Sequence, residues 1–208
     1  MKIYKRLFDR FGPQHWWPGD TPFEVMVGAI LTQNTNWQNV EKAINNLKEA
    51  GLLNPHKLLA NIDKIPQLIR PSGFYKLKSK RLIAFLKYFV EKYGGEVRNF
   101  DKKETDFLRN ELLFIPGIGP ETADSILLYA LNRPVFVVDA YTRRMLTRHN
   151  LITEKADYNE IQKFFERNLP RDIQLYNEYH ALIVRLGKEY CKKNDPLCDT
   201  CPIHNILA

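Results

Sequence analysis

Cysteine is scarce in this 208-residue chain, and all three residues, Cys191, Cys198 and Cys201, lie close to its C-terminal end. An odd number so tightly spaced argues against a disulfide framework and points toward a metal. There is no apolar run of the ~18 residues that would suggest a membrane span, and the opening stretch lacks the unbroken apolar core of a signal peptide. The expectation is a cytoplasmic protein with no membrane partner. Period-two alternation is also missing, so few strands are expected. Internal repeats, low-complexity segments and long Gly/Ser linkers are absent. Any second lobe must therefore be built by the chain leaving and returning.

Apolar residues make up 44% of the sequence, enough to bury a core in one large domain or two small lobes. They recur at helical spacing. Phe23, Val27, Ile30 and Leu31 form one face, and Val40, Ala43, Ile44 and Leu47 form the next, ending near Gly51. Leu82, Phe85, Leu86 and Phe89 mark a long basic-flanked helix stopped by Gly94 and Gly95, where a C-terminal cap favours positive φ. Further helices are predicted over Phe107–Phe114, Pro120–Leu131, Tyr141–His149, Tyr158–Leu169 and Tyr179–Tyr190. The chain reads as all-α with short loops.

The formal charge is +7, with 31 Lys and Arg against 24 Asp and Glu. That balance favours polyanionic partners without identifying one. Sharper information lies in Leu113-Phe114-Ile115-Pro116-Gly117-Ile118-Gly119-Pro120-Glu121-Thr122-Ala123. Two glycines one residue apart permit a tight turn with exposed N–H groups, and Pro120 suits the first turn of a following helix. Such a turn either merely joins two helices or holds a phosphate without reading sequence. Downstream, Arg133-Pro134-Val135-Phe136-Val137-Val138-Asp139-Ala140-Tyr141-Thr142-Arg143-Arg144 is an apolar segment ending in a carboxylate at a helix start. An N-cap is the commonest job for Asp at that place.

Together the two segments resemble the helix-hairpin-helix, Gly/Pro-rich loop and aspartate signature of the endonuclease III superfamily of DNA glycosylases. Leu31-Thr32-Gln33-Asn34-Thr35 and the cysteine tail extend the resemblance over nearly the whole chain. It implies an all-α, bilobal fold with a DNA-binding cleft between the lobes: residues 21–131 form a six-helix lobe carrying the hairpin, and 1–20 with 132–208 form the second. The implied partner is double-stranded DNA containing a damaged base, bound by a monomer that is cytoplasmic or nucleoid-associated. Asp139 would be the catalytic residue, stabilising positive charge on the deoxyribose and orienting or deprotonating water. Pro116, Gly117, Gly119, Lys78, Lys80, Arg143 and Arg144 would meet the DNA. Gln33 would fill the space left by the flipped nucleotide, unless it only bridges to a neighbouring helix.

Bifunctional members carry a lysine two positions past the second hairpin glycine, which attacks the sugar as an amine. Here that position is Glu121, and no lysine occurs between Lys103 and Lys155. A carboxylate cannot form an imine, so a monofunctional hydrolase is expected, barring residual lyase activity from a distant lysine.

Trp16-Trp17-Pro18, Trp37 and Arg70-Pro71-Ser72-Gly73-Phe74-Tyr75 look like the 3-methyladenine DNA glycosylase III branch. That likeness implies a base pocket in which Trp16 and Trp37 stack on the extruded base, with Trp17 and Pro18 shaping the wall. N-alkylated purines suit such a pocket, because their positive charge weakens the glycosidic bond and strengthens stacking on indole. The alternatives are a uracil or mismatch glycosylase, an endonuclease III-like glycosylase/AP lyase, and a non-catalytic DNA-binding module.

Cys191-x6-Cys198-x2-Cys201 matches the first three ligands of the superfamily's [4Fe–4S] loop, whose clusters take four thiolates. Leu207 occupies the fourth position, and His204 is the nearest other donor. An iron–sulfur cluster, a zinc ion and a metal-free loop are all compatible with these residues.

Overall fold

The computed structural model describes residues 1–16 and 19–206 and is all-helical over them. The chain order is α1 (Lys2–Phe11), α2 (Pro22–Leu31), α3 (Trp37–Glu49), α4 (Pro55–Ala60), α5 (Ile65–Leu68), α6 (Tyr75–Tyr93), α7 (Thr105–Phe114), α8 (Pro120–Ser125), α9 (Ala140–Arg148), α10 (Tyr158–Asn168) and α11 (Ile173–Glu189). Two compact units divide it: Met1–Trp16 with Pro134–Ala208, and Trp17–Arg133. The boundaries thus fall at 16/17 and 133/134, against the expected 20/21 and 131/132. No helix among the described residues is long and apolar enough to cross a membrane.

Local chemistry explains most helix starts. Thr21, Asn36, Asn54, Asp157 and Asp172 each accept a first-turn backbone N–H at an N-terminus, and Pro22 and Pro55 occupy first-turn positions where a missing N–H costs nothing. Asp157 and Glu160 complete a reciprocal capping box. Asp172 also explains why the last helix begins six residues before the predicted Tyr179: Tyr176 is buried one turn ahead of it.

The predicted helix over Pro120–Leu131 changes character midway. After Ser125 the backbone widens into a π-helical turn, Ile126–Ala130, and Leu131 N–H donates to Ile126 O. All five residues of that turn are buried, and they pack against α2. Apolar periodicity alone does not reveal such a change of winding.

The core of the Trp17–Arg133 unit gathers Val27, Ile30, Leu31, Leu47, Leu82, Phe85, Leu86 and Phe89, all essentially inaccessible. Phe89 stacks between Phe23, Phe85 and Phe100. In the other unit, Phe136 stacks on Phe165 at 3.9 Å with Tyr176 and Tyr179 edge-on. These aromatic clusters hold the segments that carry the candidate site residues.

Candidate functional site

The hairpin joins α7 to α8. Ile115 and Ile118 are buried and anchor it, while Pro116, Gly117, Gly119 and Pro120 lie at the surface. Gly117 has φ +88°, and a Cβ there would run into the side chain of Arg81, so glycine is required both by conformation and by space. Gly119 caps α8 without any side-chain acceptor, and an anion site at a helix start has no such acceptor to compete with. Below the turn, Arg109 of α7 grips Asp124 of α8 through both carboxylate oxygens, at 2.7 and 3.0 Å, with Asp124 fully buried. This ion pair clamps the two helices of the hairpin.

Gln33 is not free. Its amide donates to Gly117 O and to Thr122 Oγ1, both at 3.0 Å, and its carbonyl accepts from Arg81. It bridges the end of α2 to the hairpin, and Arg81, which sequence reading missed, completes the bridge.

Lys78 corrects the expected phosphate contact. Only 1% exposed, it donates to Leu31 O at 2.8 Å and to Ser72 O at 2.6 Å. Burial, then the neighbouring Arg81 charge, depresses its amine to about 8. The physical reason was visible in the spacing: positions 78, 82, 85, 86 and 89 lie on one helical face, and the last four are core. Lys80, on the outer face of α6, is exposed.

Asp139 is the N-cap of α9, in extended conformation, with Oδ1 accepting Thr142 N–H at 2.7 Å. Its other oxygen, Oδ2, faces His180 Nε2 of α11 at 3.6 Å; the two side chains are only 12% and 8% exposed. Burial pushes the carboxyl upward, but the contact with His180 and the Thr142 N–H hydrogen bond outweigh it and hold Asp139 below the ordinary carboxylate range. The result is an ionised, nearly buried carboxylate. His180 lies 41 residues downstream, and no local motif marks it.

Arg143 and Arg144 have partners inside their own unit. Arg143 donates to Ala156 O, and Arg144 donates to Cys191 O at 2.7 Å and Gly187 O at 3.4 Å while lying over the Tyr141 ring. Both are half-buried braces within their unit.

The expected stacking pair falls in different units, with Trp16 in one and Trp37 in the other. Trp37 opens α3, half-buried, its ring edge 3.4 Å from where a Cβ on Gly28 would stand. Trp16 is half-buried, and its indole Nε1 is buried with no hydrogen-bond partner among the described residues. Trp17 and Pro18 lie outside the described residues.

A hairpin with outward N–H groups and a buried carboxylate at a following helix start bear on the comparisons with known proteins. The model for "HhH-GPD superfamily base excision DNA repair protein" matches residues 27–171. The chain belongs to that superfamily. A Methanocaldococcus jannaschii protein named a candidate DNA repair glycosylase is 58% identical over 205 residues, covering 97% of this chain and 92% of the relative. Endonuclease III of Thermotoga maritima is 31% identical, covering 98% and 90%. The crystal structure of H. pylori 3-methyladenine DNA glycosylase (MagIII) bound to 1,N6-ethenoadenine is similar with a TM-score of 0.78 and 34% identity, covering 90% of this chain and 96% of that one. This HhH-GPD chain is thus a DNA glycosylase of the endonuclease III superfamily.

The cysteine loop is held by α9. Arg148 donates to Cys191 Sγ at 3.4 Å and to the carbonyls of Lys192 and Lys193, one turn beyond Arg144 on Cys191 O. Cys191 is buried, Cys198 exposed and Cys201 half-buried. Burial pushes the Cys201 thiol up, as do the nearby sulfurs of Cys191 and Cys198, against the lowering effect of backbone N–H groups from Ile203 and His204. His204 has an exposed side chain. Among the described residues no three His, Cys, Asp or Glu side chains stand at metal-binding spacing. Three thiols also fall one short of a cubane cluster's usual four.

Proposed function

We propose that this HhH-GPD glycosylase is monofunctional and hydrolyses the N-glycosidic bond of N-alkylated purines, such as 3-methyladenine, in duplex DNA. The observation that carries the reading is the state of Asp139: a carboxylate kept ionised though nearly buried, as required of a group that stabilises an oxocarbenium-like sugar and orients water. Glu121 stands at the surface on the first turn of α8, where a lyase lysine would be. Lys78 is the amine whose lowered basicity would best suit an imine, but its Nζ is enclosed and bonded to two carbonyls. The alkylpurine assignment is supported by the likeness to MagIII and by Trp37, half-buried at the start of α3, since an indole suits a cationic base. In this reading the cysteine loop is structural, and metal analysis of anaerobically purified protein separates an iron–sulfur cluster, a zinc ion and a bare loop.

The test is a panel of duplexes bearing 3-methyladenine, 7-methylguanine, 1,N6-ethenoadenine, uracil or a G·T mismatch, scored for base release with and without alkali. Alkylpurine release is expected to be fastest, with strands breaking only after alkali and no adduct trapped by borohydride. Faster release of uracil or mismatched thymine would move the enzyme to the pyrimidine branch. Efficient trapping would show lyase chemistry.

A further inference from the structure

Gly187 and His180 lie seven residues apart on α11, hence on one stripe of the helix. Both face the start of α9. A Cβ on Gly187 would overlap the Tyr141 ring, so glycine permits close approach of the two helices, and His180 then meets Asp139 across the same contact. His180 is 6% exposed. One of its ring nitrogens stands 3.6 Å from the carboxylate oxygen of Asp139 that the helix cap does not use.

We propose that His180 is a positioning residue for Asp139: its Nε2 carries a proton toward Oδ2 and fixes the rotation of the carboxylate. The inference rests on the reading of Asp139 as the catalytic carboxylate. Oδ1 is committed to Thr142 N–H at 2.7 Å, and His180 Nε2, facing Oδ2 at the ion-pair distance of 3.6 Å, restrains the group from swinging about that single bond. A buried carboxylate oxygen without a donor is costly, so the contact also keeps the group ionised.

The test compares single-turnover base release by the wild type, His180→Leu, His180→Gln, Asp139→Asn and the Asp139→Asn/His180→Leu double variant, with affinity measured on a tetrahydrofuran abasic analogue. Leucine should slow release roughly 10- to 100-fold, the range expected for a hydrogen bond to a charged group, while affinity for the analogue stays within about 2-fold. Glutamine, whose amide nitrogen reaches about as far as Nε2, should restore most of the rate. In the Asp139→Asn background the leucine substitution should cost less than about 2-fold, because a residue acting through Asp139 loses its effect once the charge is gone. Wild-type rates in His180→Leu, or an equal loss in both backgrounds, would overturn the inference. An active Asp139→Asn enzyme would overturn the catalytic assignment itself, and the inference with it. Should leucine impair folding, the ring 15N shifts of His180 in the unsubstituted protein decide: a protonated Nε2 supports the contact, and a bare Nε2 facing the carboxylate overturns it.

Discussion

Two helices in this protein begin after a turn, and their first residues treat negative charge in opposite ways. At α8 the cap is Gly119, which supplies no side-chain acceptor and stands at the surface of the hairpin. At α9 the cap is Asp139, which satisfies its own helix through Thr142 N–H and is largely enclosed beside His180. The same positive end of a helix thus meets a cap without a side chain in one case and helps hold a carboxylate ionised in the other. One side chain, present or absent at the cap, makes that difference.

The sharpest way to break this contrast is Asp139→Asn. The amide keeps the shape and can still accept from Thr142, so folding and DNA affinity should change little. Base release should fall roughly 10²- to 10³-fold, the scale set by removing one preorganised electrostatic contact. Turnover near the wild-type rate in single-turnover assays would leave Asp139 as a cap and nothing more.

Trp37→Ala should have the next largest effect. Loss of stacking is worth ~1–3 kcal/mol per base, or roughly 5- to 150-fold in transition-state stabilisation, with the greater loss on cationic lesions. The melting temperature should move little, since the ring is half-buried at the start of α3. Equal losses on cationic and neutral bases with a large drop in melting temperature would make Trp37 a core residue.

Gly119→Asp converts one cap into the other. Nothing lies within 4 Å of a Cβ at that position and its φ is −92°, so an aspartate can fit and cap α8 with its own carboxylate. DNA affinity should drop roughly 10-fold or more, through occupied N–H groups and repulsion of phosphate, while stability holds or rises. Gly119→Ala is the control, expected to bind nearly as the wild type. If both variants bind equally well, the hairpin is only a connection.

How much of this could be read beforehand depended on how local the physics was. The hairpin, the capped start at Asp139 and the long apolar faces are set by neighbours within a turn or two, and the sequence displayed them. The Arg109–Asp124 clamp and the pairing of Asp139 with His180 depend on packing between helices, which spacing along the chain does not encode. The direction of the arginines beside Asp139 is likewise set by packing that their position in the sequence does not reveal. Arg143 and Arg144 turn toward carbonyls of their own unit.

Lys78 gives the smallest effect and the most specific signature. Its ammonium group supports Leu31 O, at the end of the helix leading to Gln33, and Ser72 O. Lys78→Met leaves both carbonyls without that donor but also removes a buried charge. These terms oppose, and the first should prevail at pH 7 by roughly 1–2 kcal/mol. The pH dependence follows from the depressed value of about 8 against the usual 10.5. Below pH 8 folded and unfolded chains both carry the proton, and the cost of burying charge is fully present. Between pH 8 and 10.5 the folded chain releases it while the unfolded chain keeps it, so the unfolded state binds more protons and stability rises with pH. A neutral amine still has two N–H groups for the two carbonyls, so relief of the charge cost does not sacrifice the hydrogen bonds. Urea titrations of wild type and Lys78→Met at pH 7, 9 and 10 should therefore show the stability gap widening toward alkaline pH. A constant gap would mean that the amine is solvated in solution and that Lys78 does not hold the end of α2 as a buried donor.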